Sequence, residues 1–64
     1  MPDRLYVSNE TQTAAADYLR MYGIEPVLTT DRDGTYFRVT PPAYWLPKRI
    51  ESFEAGLRDR FGWR

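Results

Sequence analysis

Neither cysteine nor histidine occurs anywhere in this 64-residue chain, and that double absence constrains its folding more than any other feature. A domain so short buries only about 60% of the surface that its unfolded chain exposes. Chains of this size commonly borrow stability from disulfides, a metal or a second subunit. Without cysteine there is no disulfide, and without cysteine or histidine the usual zinc ligand sets are missing. Dense packing or self-association remains. Two tryptophans, five tyrosines and three phenylalanines supply the bulk for it, since each ring buries a large area for few ordered bonds.

The same absence narrows the chemistry. The common general base and the thiol nucleophile are both lacking, and Ser8 and Ser52 have no histidine to activate them. Asp31 and Asp33 flank a turn, where aspartate serves local geometry. Read as a calcium loop, Asp31-Arg32-Asp33-Gly34 would put Thr29 at the first ligand position and Thr40 at the last, which loses the bidentate carboxylate. A non-enzymatic chain with no cofactor and no metal is expected.

Hydrophobic periodicity divides residues 1–64, read as a single domain, into five elements. Arg4 to Ser8 alternates with the period of a strand, Leu5 and Val7 on one face and Tyr6 on the other. Asn9 is the expected N-cap of a helix through Ala14–Tyr22, with Gln12 at capping-box spacing. Ala15, Tyr18, Leu19 and Tyr22 form its apolar stripe and Gly23 its end. Val27–Thr30 is a second strand, Asp33-Gly34 a hairpin turn and Thr35–Thr40 a third strand. Pro41-Pro42 stops it. After the apolar connector Ala43–Leu46, Pro47 opens a helix with its stripe at Leu46, Ile50, Phe53, Leu57 and Phe61, a Glu54–Arg58 pair on its surface and Gly62 at its end. The expected architecture is α+β: a two-layer sandwich, β-α-β-β-α, with a three-stranded antiparallel sheet in order 1-3-2 and both helices on one face. Leu19, Phe37, Ile50, Phe53 and Leu57 are expected to be buried together, and Trp63, past the second helix, to be free.

Residues 1–34 hold three arginines against six carboxylates, and residues 35–64 hold six basic residues against three, for a net charge of zero. That balance argues against direct binding of nucleic acid and fits a protein partner met by one acidic and one basic face. Glu10 and Asp17 represent the acidic half, and Arg49, Arg58 and Arg60 the basic helix. No secretory or membrane-spanning segment is visible, so a cytoplasmic protein is expected. Two surfaces suit a partner. One is the open sheet face with Arg4, Tyr6, Tyr36 and Arg38, since Tyr and Arg are enriched at binding hot spots. The other is the proline-flanked connector with Tyr44 and Trp45, where Trp45 serves either as a core lid or as an exposed anchor. The first strand lies at a sheet edge guarded only by Pro2, Asp3 and Arg4, which favours a homodimer or partner docking through that strand, with Tyr6 as anchor.

Two resemblances extend this reading. The succession Leu5–Val7, Ala14–Gly23, Val27–Val39 and Ile50–Leu57 resembles the first five elements of a SPOR domain. That resemblance implies a sheet that binds denuded peptidoglycan glycans. It supports the alternative of a glycan-binding or nucleic-acid-binding sheet, the latter in the manner of RNA-recognition modules. In kind, a tiny α/β chain rich in arginine and acids, with no catalytic residues, resembles the phage-encoded anti-CRISPR inhibitors. This implies a protein that occludes a bacterial defence nuclease complex in the host cytoplasm. The group shares no motif, so it assigns no residue.

Overall fold

A computed structural model of the protein describes residues 3–63; Pro2, expected to guard the sheet edge, lies outside them. Five elements follow one another: β1 (Arg4–Val7), α1 (Gln12–Met21), β2 (Leu28–Asp31), β3 (Gly34–Arg38) and α2 (Pro47–Phe61). The sheet is antiparallel in order β1-β3-β2, so the α+β topology is the one its periodicities predict. Leu5 and Leu28 stand opposite Phe37, while Tyr6 and Thr29 stand opposite Tyr36. Because strand side chains alternate, Leu5 and Phe37 face the helices, and Tyr6, Thr29, Asp31 and Tyr36 share the other face.

Between sheet and helices lies a single core. Leu19, Phe37, Phe53 and Leu57 are buried there with Leu5, Ala15, Tyr18, Val39, Trp45 and Trp63, and Ile50 is half-buried against them. Aromatic rings order its centre. Tyr18 stacks on Phe53 with centroids 5.7 Å apart and planes at 15°, and Trp45 meets Phe53 edge-on at 5.3 Å. Such pairs add to what area burial alone supplies. The Tyr18 hydroxyl donates to the Phe53 carbonyl at 3.0 Å. A Cβ at Gly56 would collide with that hydroxyl, so the bare backbone at position 56 is what lets Tyr18 cross from α1 onto α2.

Several element ends, and one surface pair, depart from the sequence reading. Thr11, not Asn9, occupies the cap position of α1. The Ser8 amide donates to Thr11 Oγ1 at 2.9 Å, while the Ser8 carbonyl accepts from the amides of Thr11 and Gln12, and this closed turn carries the chain past Asn9 before the helix begins. Val27 lies outside β2. Leu46 is the cap of α2 in an extended conformation, which swings its side chain off the helical stripe. Glu54 and Arg58 make no ion pair. The expected ends hold at Gly23, where the amides of Gly23 and Ile24 return to the carbonyls of Arg20 and Leu19 in a left-handed C-terminal cap. Trp63 is not free. Gly62, at φ 65°, turns the chain back so that the Trp63 amide reaches the Leu57 carbonyl and its indole enters the core. No helix among the described residues is long and apolar enough to cross a membrane.

Candidate functional site

The open face of the sheet is organised around one carboxylate. Asp31 Oδ1 accepts from the amides of Asp33 and Gly34 at 2.8 and 3.1 Å, which fixes the β2–β3 turn. Its Oδ2 accepts from the Tyr6 hydroxyl and from Arg4 Nη1, both at 2.6 Å. Arg4 and Tyr6 belong to β1, so their side chains cross over β3 to reach β2. The hydrogen bond from Tyr6, the turn amides and the Arg4 charge together hold the Asp31 carboxyl below its ordinary pKa. The phenol of Tyr6, donating to that carboxylate, is shifted up.

Tyr36 lies beneath this network. The Arg4 guanidinium sits 4.6 Å from its ring centre and the Tyr6 ring 5.4 Å away, leaving Tyr36 only 4% exposed. Its ring is therefore covered by side chains of its own sheet. Arg38, the last residue of β3, stays out of the network. It lines an open concavity of about 530 Å³ with Ile24, Glu25, Val27, Thr29 and Thr40, and no ion pair among the described residues includes it.

The connector divides its three large side chains. Trp45 is a core residue, the lid reading of the two, whereas Tyr44 and Leu46 on either side are 82% and 74% exposed. Arg49 fastens this segment. Its guanidinium lies 4.5 Å from the Trp45 ring centre and 5.2 Å from that of Tyr22, and it donates to the Tyr22 carbonyl at 2.9 Å. Arg60 lies 5.2 Å over the Tyr18 ring at the far end of α2, and Arg58 is exposed beside it. Glu10 is exposed in the turn before α1, its carboxyl lowered by the Ser8 hydroxyl. Asp17 pairs with Arg20 at 3.3 Å on the outer side of α1. The residues singled out in the sequence thus do not converge. They form a sheet-face group, a connector group, and charges spread over both helices.

A different set stands at the boundaries of the elements. Leu28 is opposite Phe37, which puts the start of β2 beside the end of β3. Tyr22, just past α1, lies 5.8 Å from Trp45, just before α2. The end of α1, the start of β2, the end of β3, the start of β1 opposite it and the start of α2 therefore share one end of the molecule. Every large apolar side chain that is strongly exposed among the described residues, except Tyr6, stands at these boundaries: Met21, on the groove between the helices, Val27, on the concavity with Arg38, and Leu28, Tyr44 and Leu46. Of them the sequence points to Tyr44 and Leu46, both in the apolar connector. The signal available for the rest was their position one residue inside or outside an apolar period, where pattern reading is weakest. No family model, curated protein or solved structure matches the chain.

Proposed function

We propose that this chain is a protein-binding module without chemistry of its own, and that the apolar end just described is its docking surface. The observation that carries the reading is the exposure of Tyr44 and Leu46 on a segment whose middle residue, Trp45, is anchored in the core. Exposed apolar clusters mark interaction sites, and a rigid segment loses little entropy when a partner docks. Arg38, Lys48 and Arg49 stand at this end against Glu25 and Asp3, a basic excess of one that favours a partner with an acidic rim. The sharper form of the reading is an inhibitor, phage-encoded and acting in the host cytoplasm, that occludes a bacterial defence nuclease complex. Glycan or nucleic acid stacking on the open sheet face has less support, because Tyr36 is covered and the polar groups of Arg4 and Tyr6 are engaged with Asp31.

The test compares captures from bacterial lysate by the native chain and by a variant carrying Tyr44→Ser and Leu46→Ser. A protein recovered by the first and lost by the second is the expected result, and nuclease subunits among such proteins support the sharper form. Equal capture by both chains, or recovery of RNA or glycan strands in place of protein, contradicts the reading.

A further inference from the structure

Both outer strands of the sheet have an open edge, and the hydrogen-bond alternation defines what each edge offers. The Val39 amide donates to the Asp3 carbonyl at 3.0 Å, directly across the β1–β3 pair. Bonded and non-bonded pairs alternate along an antiparallel ladder. Asp3, Leu5 and Val7 therefore turn their backbone groups toward β3, and Arg4 and Tyr6 turn theirs outward. By the same alternation Phe37 points toward β1, so Tyr36 bonds to Thr29, and Leu28 and Thr30 in β2 point outward.

The two edges are furnished differently. At β1, Ser8 has its amide and carbonyl closed by Thr11 and Gln12, and the side chains of Arg4 and Tyr6 lean inward to Asp31. At β2, the outward groups of Leu28 and Thr30 stand beside the exposed side chains of Val27 and Leu28. On the open sheet face, Thr29 forms one wall of the concavity that holds Arg38. A strand added to β2 would place a side chain on the same face as Thr29, beside the concavity and the Arg38 guanidinium, which forms no ion pair among the described residues.

We infer that the free edge of β2 takes an extended segment of a partner protein by strand addition, with one acidic side chain of that segment entering the concavity to meet Arg38. This rests on the reading of the apolar end as a docking surface and specifies how a partner would bind there. The charge of Arg38 selects the acid, and Glu25 in the same concavity disfavours a second one. The adjoining Val27 and Leu28 give apolar contact to the flanking residues of the segment.

The probe is a synthetic peptide of alternating valine and threonine with one central glutamate, compared with the same peptide carrying glutamine. With the native chain, the glutamate peptide is expected to slow hydrogen exchange at the Leu28 and Thr30 amides and to bind about tenfold more tightly than the glutamine peptide, as one charged hydrogen bond warrants. Arg38→Gln should erase that difference, and Glu25→Gln should preserve or enlarge it. Thr30→Pro removes an outward donor while sparing the β2–β3 ladder, so it should abolish binding in a chain that still melts cooperatively; should it unfold, the Arg38→Gln comparison and the exchange map still decide. Equal affinity for the two peptides, protection at Arg4 and Tyr6 in place of Leu28 and Thr30, or protection that appears without peptide as the chain is concentrated, each overturns the inference; the last two point to the β1 edge or to a second copy as occupant. If Tyr44→Ser with Leu46→Ser loses a lysate partner while Thr30→Pro leaves both partner and peptide binding intact, the docking surface stands and strand addition at β2 falls.

Discussion

At the hairpin end of the molecule, one carboxylate accepts two turn amides, a phenol and a guanidinium, and the aromatic ring beneath is covered by its own neighbours. At the opposite end, five chain segments meet and leave Met21, Val27, Leu28, Tyr44 and Leu46 toward solvent, while Arg38 has no ion-pair partner among the described residues. The first end satisfies its groups internally and contributes to folding. The second leaves them unsatisfied, which a domain with so small a core tolerates only if their exposure costs the fold little. Substitutions at the two ends should therefore part company: stability should respond to the core and the hairpin end, and binding to the apolar end.

The largest expected effect lies in the core that joins the two ends. Phe53 is fully buried and touches Tyr18, Tyr22 and Trp45 through its ring. Phe53→Ala should cost about 3–5 kcal/mol, a large part of the stability of any small domain, and calorimetry should find little or no cooperative melt. An unchanged melt would show that the aromatic cluster is not the core. Next in size is Gly56→Ala. Glycine to alanine inside a helix ordinarily stabilises, by roughly 1 kcal/mol. Here the new methyl meets the buried Tyr18 hydroxyl and forces it off the Phe53 carbonyl, so a loss of about 1–3 kcal/mol is expected, as for overpacking elsewhere. A gain in melting temperature would mean that Tyr18 does not cross to α2.

Tyr18 also gives the core a pH limit. Burial, with Tyr22 beside it, pushes its phenol up to about 12. A pKa raised on folding stabilises the fold in full below the unfolded value, about 10, and that contribution is lost as pH rises toward 12. Tyrosinate absorbance should lag for the Tyr6 and Tyr18 phenols, with Tyr18 ionising last as the fold opens, and Tyr18→Phe should remove that last step. At the hairpin end the sign reverses. The Asp31 carboxyl is lowered on folding, so its stabilisation is full above the ordinary carboxylate pKa and fades as pH falls through the lowered value. Asp31→Asn should lower the melting temperature at neutral pH by less than Gly56→Ala does, and flatten the acid limb. An acid limb identical to that of the native chain would remove Asp31 from its place at the centre of the sheet face.

Much of this was legible in the sequence, because the topology follows from one period-two run, two β-prone runs, two helical stripes and the turn at Asp33-Gly34. The core followed from the same stripes. The site did not, for reasons of geometry. Alternation places Tyr36 on the open face but does not reveal that Arg4 folds across the sheet to cover it. Asp31 reads as a turn residue in sequence, and its bonds to β1 exist only once β3 lies between the two outer strands. Leu46 keeps the spacing of the α2 stripe, yet its extended cap conformation takes it out of the core. Trp63 lies beyond the last helical turn and enters the core only because Gly62 turns the chain back. Convergence of boundary residues at one end is a property of how the elements stack, which no local pattern encodes.

The smallest expected effect on stability is at the apolar end. Tyr44→Ser and Leu46→Ser should each change the free energy of unfolding by no more than about 0.5 kcal/mol, as surface substitutions do. A destabilisation as large as that of Gly56→Ala would make these residues part of the fold and erase the contrast between the two ends. The central claim, that this end is where a partner sits, is tested most directly by mapping hydrogen exchange on the chain in complex with the partner it captures. Slowed exchange at Val27 and Leu28 and at Tyr44 to Leu46, with the Asp31 hairpin unchanged, is expected. Protection confined to Arg4, Tyr6 and the hairpin, with the apolar end exchanging as in the free chain, would contradict it.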